Sequence, residues 1–376
     1  MDVERLTSMM KRLVALNERH EIEHVGGPAA LDAARYVSTE RHDQELERLF
    51  RQAPQLLAFS CDLPGPNTFA TGRLGDLPVL LLRDGEGVLR AFLNACRHRG
   101  AAVADGCGEA RRLSCPYHGW TYELDGRLTG IPDRTAFEGC VDGEGLLALP
   151  VSERYGFIVV CADPDGRADV DEYLGEMAPE LAHFDLAGLV PVNVHEAEIA
   201  MNWKLANDAA MEAYHVPYLH KATVAPMTSF GYAYDSFGAH HRMGLLGTGV
   251  TMPEGDVEDP MRYLEGLTLV HHLFPSSMIV VGAGIVVHQR CDPGRTPDTC
   301  VLRVTSYSWG HPADDAAREH QQMLSDLLWK VVLEEDCRVQ SGAQRSFSSG
   351  ATDRVLFGAN EPGLRGMHAA WDAALR

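Results

Sequence analysis

Two cysteines and two histidines fall into a pair of short words: Cys96-x-His98 within CRHRG and, after sixteen further residues, Cys115-x-x-His118 within CPYHGWTY. Each word offers one thiolate and one imidazole, so two loops can close around one metal centre. In a [2Fe–2S] centre with this donor set, both cysteines bind one iron and both histidines the other. The imidazoles then raise the reduction potential above that of an all-cysteine cluster. A structural zinc site accepts the same four atoms and competes on ligand type alone. Zinc fingers space their histidines three to five residues apart on a helix, however, whereas here each histidine sits beside a cysteine. Gly100, Pro116 and Gly119 suit tight loops whose backbone N–H groups can aim at cluster sulfides, and Tyr117, Trp120 and Tyr122 can shield the centre. The spacing favours iron–sulfur over zinc.

A second constellation lies in NWKLANDAAMEAYHVPYLH, from Asn202 to His220. The pattern predicts a helix from Trp203 to His215, with Leu205, Ala209, Met211 and Tyr214 among its apolar or aromatic positions. It carries Glu212-x-x-His215, with His220 beyond Pro217. Proline disfavours simple continuation of the helix, so His220 is expected on a turn or at the next helical start. Two histidines around such a break can converge on one metal. Against this, the spacing is common by chance, and a lone histidine is more often a satisfied core or surface group.

The elements that must position these residues change character along the chain. Thr39–Arg51 reads as a helix. PVLLLRD (Pro78–Asp84), a DGEG turn and VLRAFLNA form a hairpin that leads into the first metal word. TYELDGRLTGIP repeats strand–turn–strand around Asp125-Gly126 after the second word, and YGFIVVCADP closes an all-β segment. Beyond it come helical stretches near Val170–Phe184 and a strand near Val190–Ile199. The 376 residues allow two domains, or one large domain with an insertion. No apolar run is long enough to span a bilayer, and the opening MDVERLTSMMKRLVALNERHE lacks a signal-peptide core, so no membrane association is expected. The nine cysteines lack disulfide-framework spacing, which points to a reducing cytoplasm. Cys61, Cys107, Cys140, Cys161, Cys291, Cys300 and Cys337 read as buried small hydrophobes. A net charge of -20 argues against a nucleic-acid partner.

Together the words CRHRG and CPYHGW, and NWK followed by E-x-YH-x4-H, resemble the terminal oxygenase component of the Rieske non-haem iron oxygenases, the ring-hydroxylating dioxygenase α-subunit superfamily. The resemblance runs from the helix near Thr39 to the C-terminal region. It implies an α+β fold, with an all-β Rieske domain at 46–165 and a helix-grip catalytic domain at 166–376, its antiparallel sheet curved around a long helix. Residues 1–45 would pack on the catalytic domain. Cys96, His98, Cys115 and His118 would hold the [2Fe–2S] cluster. His215 and His220 would hold a mononuclear Fe(II) with one carboxylate, which leaves positions open for dioxygen near the substrate. The family takes that carboxylate from a late helix, matched here by LLWKVVLEEDCRVQSGAQRS, where Leu327, Leu328, Val331 and Val332 support one buried face. The candidates are Glu334, Glu335 and Asp336, ahead of Gln340 and Gln344. Asp336 is the first choice and Glu335 the second, while a solvated acidic face accounts for the remainder.

The resemblance also gives Glu212 a role, that of a carboxylate joining His118 of a neighbouring subunit to His215 of its own. Many relatives carry Asp there, and carnitine oxygenase-like members share the Glu. Ala209 departs from the family, which often has Asn near the iron. Electrons would come from a separate NAD(P)H-dependent reductase, directly or through a ferredoxin, because the chain has no GxGxxG context for binding NADH itself. The family's head-to-tail homotrimer, a closed ring, is expected, with a β subunit left open. Expected activities are hydroxylation of an aromatic or other small organic substrate, or, as the alternative, oxidative N- or O-demethylation of a small polar substrate such as a quaternary amine. A Rieske electron carrier remains the non-enzymatic alternative. Met227–Tyr234, Leu267–His272 and Met278–His288 would supply the pocket, with Phe230, Tyr232, Phe237, Leu273 and Phe274 as either lining or core. His240, His241, His271, His272 and His288 read as surface or supporting groups rather than ligands.

Overall fold

The run Pro-Val-Leu-Leu-Leu has no polar alternation, which is what a strand buried on both faces requires. The computed structural model describes residues 3–141, 143–252, 266–282 and 284–376. In it this run is the Leu77–Arg83 strand, the central one of a five-stranded sheet that also contains Ala148–Leu149, Leu89–Leu93, Thr68–Leu74 and Cys107–Glu109. Val79 and Leu81 face one core with Leu74, Ala91, Ile158 and Val160. Leu80 and Leu82 face another, which also contains Cys96, Cys115, Trp120 and Tyr122. Two three-stranded sheets complete an all-β unit that spans Leu46–Tyr173.

The second unit comprises Met1–Glu45 and Leu174–Arg376. Seven antiparallel strands run in the order Val190–Ile199, Cys300–Ser308, Ile285–Pro293, Ser277–Gly282, Leu267–Leu273, His240–Gly247, Thr228–Phe237. The Val3–Arg19 helix buries Leu6, Met9, Met10, Leu13 and Leu16, and packs on the last two of these strands. The Trp203–Ala210 helix is capped by Asn202, whose Oδ1 accepts the Lys204 N–H at 3.0 Å. A long helical path follows the sheet. It runs as Asp315–Val331, then a π-helical turn over Val332–Asp336, then Cys337–Ser348. The Pro362–Ala374 helix ends the fold. No helix among the described residues is long and apolar enough to cross a membrane.

Several sequence expectations need correction. The expected helix through Thr39–Arg51 is α-helical only over Thr39–Glu45 and π-helical from Leu46 to Arg51. Leu327 is exposed although it was expected on the buried face, because Ser325 and Val331 take the inward positions of that helix. Cys107 and Cys140 are exposed and Cys61 half-buried, so only the remaining cysteines act as core. All five histidines from His240 to His288 are buried rather than on the surface.

The buried charge of this unit includes two clusters centred on glutamates. Lys204 and Glu45 are both fully buried and paired at 2.5 Å, and Glu45 also accepts from Trp203 Nε1 at 3.0 Å and from Arg41 at 2.8 Å. Glu180, also buried, accepts from His271 at 2.6 Å and pairs with Arg242. Burial alone would raise the Glu180 carboxyl, but the His271 hydrogen bond and the Arg242 charge prevail and hold it at about 2. A depressed carboxyl stabilises the fold above its unfolded pKa and loses that contribution as pH falls toward the folded value. Glu180→Gln is therefore expected to remove a term on the order of 3 kcal/mol from the stability difference between pH 7 and pH 2.5. Urea unfolding at the two pH values measures it.

Candidate metal centres

Each cysteine–histidine word forms a loop closed by its own backbone. Gly100 N–H donates to Cys96 O and Gly119 N–H to Cys115 O, and both glycines adopt φ values of +75° and +70° that favour residues without a Cβ. The loops turn their two donor types in opposite directions. Cys96 and Cys115 are buried in the apolar cluster, whereas His98 is half-buried and His118 exposed. The two imidazoles lie 4.6 Å apart, and His98 stacks on Trp120 at 4.8 Å. Tyr122 places its hydroxyl 3.2 Å from Cys96 Sγ and accepts the Arg97 N–H at 2.9 Å. His98 Nδ1 is buried with no hydrogen-bond partner. A paired thiolate face, a paired imidazole face and an unsatisfied imidazole nitrogen fit a [2Fe–2S] group with two unlike irons.

In the other unit, His215, His220 and Asp336 offer three ligand atoms within 4.8 Å of one another. His215 Nε2 lies 3.1 Å from His220 Nε2, and Asp336 Oδ1 lies 3.1 Å from the second and 3.6 Å from the first. The far side of each ring is held by a carboxylate. His215 Nδ1 pairs with Glu212, and His220 Nδ1 pairs with Glu335 at 2.7 Å. With each Nδ1–H donating to its carboxylate, the two Nε2 atoms present lone pairs to one another and to Asp336 Oδ1, which is buried without a hydrogen-bond partner. Such a triad repels itself unless a cation sits among its members. Two imidazoles and one carboxylate with open positions suit Fe(II).

Backbone irregularity places the acids. Successive α-helical residues point about 100° apart, yet Glu335 and Asp336 both reach His220, one on each ring nitrogen. The π turn over Val332–Asp336 permits this by widening the helix where they project. Glu335, the second choice for the ligand, thus lies behind His220, with Thr223 Oγ1 donating to it at 3.1 Å. Its hydrogen bond to His220 keeps its carboxyl below the usual range. Glu334 is exposed.

The expected helix from Trp203 to His215 stops at Ala210. In an unbroken helix His215 N–H would donate to Met211 O. Instead Met211 O accepts the Tyr234 hydroxyl at 3.0 Å, and His215 N–H donates to Glu212 Oε2 at 3.1 Å. His220 follows as the C-terminal cap of the short Val216–Leu219 helix. Ala209 is half-buried, and the nearby Asn207 amide is committed to Trp203 O and Ser276. Gln344 accepts the Asn202 N–H at 2.9 Å, which fastens the Cys337–Ser348 helix to this cap. Of the expected pocket residues, Phe230 is exposed and Tyr232 is bonded to Asn360.

Sequence reasoning missed a buried network in the same unit. Asp208 accepts from Tyr36 at 2.7 Å and pairs with His368 at 2.9 Å. Burial pushes the Glu361 carboxyl up, reinforced by the negative Glu212 and Asp208. Their only sequence signal was the NWK word that opens the helix.

Comparison with known proteins places the chain among relatives. The family described as ring hydroxylating alpha subunit (catalytic domain) matches residues 186–376, and the Rieske [2Fe-2S] domain matches residues 53–148. The chain is 34% identical over 209 residues to chloroplastic choline monooxygenase of Atriplex hortensis, covering 54% of this chain and 48% of that protein. It is 34% identical over 194 residues to the biphenyl 2,3-dioxygenase alpha subunit of Rhodococcus jostii (strain RHA1), covering 49% and 42%. The chain thus spans about half the length of the curated relatives it matches. A solved quaternary ammonium Rieske monooxygenase, studied for carnitine oxidation and inter-subunit electron transfer, shares the fold at a TM-score of 0.76 and 20% identity, covering 92% of this chain and 94% of that one.

Substitutions separate ligand from support. His215→Ala and Asp336→Asn are expected to lose the mononuclear iron while the cluster spectrum persists. Glu335→Gln is expected to keep the iron but bind it roughly 10- to 100-fold more weakly. Iron per chain and cobalt(II) titration of iron-depleted protein measure these outcomes.

Proposed function

This chain belongs to the ring-hydroxylating alpha subunit family of Rieske oxygenases, and on that footing we propose that it is the terminal oxygenase of a multicomponent system, oxidising a small quaternary ammonium substrate with dioxygen. The observation that carries the oxygenase reading is the convergence of His215 Nε2, His220 Nε2 and Asp336 Oδ1, each imidazole backed by a carboxylate on its other nitrogen. Iron(II) held by these three would supply oxygen activation, and a cluster held by Cys96, His98, Cys115 and His118 would supply electrons singly. The chain's own residues orient that chemistry. Glu212 and Glu335 fix both imidazoles with Nε2 unprotonated and aimed inward. Asp336 adds the negative charge and the oxygen donor that attract a divalent cation.

Support for a cationic substrate is twofold. The relatives include choline monooxygenase and a quaternary ammonium Rieske monooxygenase, and a net charge of -20 draws cations toward the surface. The biphenyl dioxygenase relative supports arene oxidation as a second reading. Electron supply is assigned to a separate NAD(P)H-dependent reductase, with or without a ferredoxin. The working assembly is a homotrimer in which His118 of one copy meets Glu212 of the next. The exposed edge of His118 and the carboxylate behind His215 suit that meeting. Nine unpaired cysteines suit a reducing compartment such as the cytoplasm.

A reductase-coupled oxygen-uptake screen tests substrate class. Choline, glycine betaine and carnitine are expected to drive uptake matched by product, with little peroxide. Uptake matched by a diol from biphenyl or naphthalene would instead assign the arene reading, and peroxide alone with every compound would remove both. In Glu212→Gln both metals are expected to remain while turnover falls roughly 10- to 100-fold. Unchanged turnover would take Glu212 off the electron path.

A further inference from the structure

Glu212 grips His215 twice, at Nδ1 through one carboxylate oxygen and at the backbone N–H through the other. The second grip exists only because that N–H is not donating to Met211 O. Two features from distant parts of the chain hold the carbonyl away from it. Tyr234, from the edge strand Thr228–Phe237, donates its hydroxyl to Met211 O at 3.0 Å and is itself buried. Gly363, in the first turn of the C-terminal helix, lies so close that a Cβ there would stand 2.9 Å from Met211 O and 2.9 Å from the Tyr234 ring. Met211 is fully buried, so its carbonyl has no water to turn to. An unpartnered buried carbonyl is unfavourable, and the nearest donor that can relieve it in the helical register is His215 N–H.

We propose that Tyr234 is a positioning residue for Glu212: its hydroxyl keeps the helix open at Met211, freeing His215 N–H and so aiming the Glu212 carboxylate at the His215 ring. Gly363 is its steric counterpart, the only residue type that lets the C-terminal helix approach the same carbonyl. Without the hydroxyl, Met211 O competes for His215 N–H, Glu212 keeps one grip instead of two, and the ring of His215 gains freedom about χ1 and χ2. The proposal rests on the reading of Glu212 as the carboxylate between cluster and iron.

The test uses full-length protein with both centres loaded, and the same protein depleted of its mononuclear iron. In Tyr234→Phe, cobalt(II) affinity of the iron-depleted protein is expected to fall about 10-fold, as for loss of an outer carboxylate contact. Reoxidation of the dithionite-reduced cluster in air-saturated buffer, followed by its visible absorbance, is expected to slow by a similar factor. Gly363→Ala, which displaces the carbonyl from another direction, is expected to do the same. Neither substitution should add to Glu212→Gln, because in that background the carboxylate they aim is gone. A merely structural role would multiply with Glu212→Gln. That multiplicative result, or a Tyr234→Phe protein equal to wild type in both measurements, would overturn the proposal. Cluster reoxidation that is indifferent to Glu212→Gln itself would instead overturn the bridge reading, and the positioning role with it.

Discussion

Two imidazole nitrogens and one carboxylate oxygen are held at 3.1 to 3.6 Å by groups behind them. Left alone, three lone-pair donors this close would separate or take up protons. They stay because Glu212 and Glu335 occupy the opposite ring nitrogens and fix the tautomers. Much of the second unit serves that arrangement. The Asn202 cap, the buried Glu45–Lys204 pair and the Gln344 bond hold the helix before the histidines, and the long path from Asp315 to Ser348 delivers the acids.

Departures from regular backbone do the placing. The π turn lets neighbouring residues Glu335 and Asp336 address opposite nitrogens of one ring. The interrupted helix at Met211 lets a side chain, not a carbonyl, take His215 N–H. Each irregularity forgoes one regular helical hydrogen bond and replaces it with a contact that orients a metal-facing group, which is where local structure is expected to yield to function.

The all-β unit solves a different problem with the same economy. Its thiolates lie in the apolar core and its imidazoles at the rim. Burial protects the cysteine side from solvent, while the exposed His118 edge suits the electron exit proposed for it. Tyr122, bonded to both Arg97 N–H and the Cys96 sulfur, ties one loop to the strand that leaves the other.

What could be read from the amino-acid order was what lies close together along it. The words from Cys96 to His118 and from Glu212 to His220 carry ligand types and spacing within a few residues, and the Pro78–Asp84 run read as a strand leading into the first of them. The resemblance put Asp336 ahead of Glu335, but the residues alone did not show how either would point, since a regular helix points both differently from the π turn that the packed helix adopts. Nor was the end of the Trp203 helix, because local propensity favours continuing it through Ala213 and Tyr214. That ending depends on a phenol from residue 234 and a glycine from residue 363, brought to Met211 by the sheet and the last helix. Sequence by itself determined which residues carry metal-binding groups at close spacing. Only the tertiary structure decided which of them face one another, because hydrogen-bond partners far apart in the chain settle the direction of each donor atom.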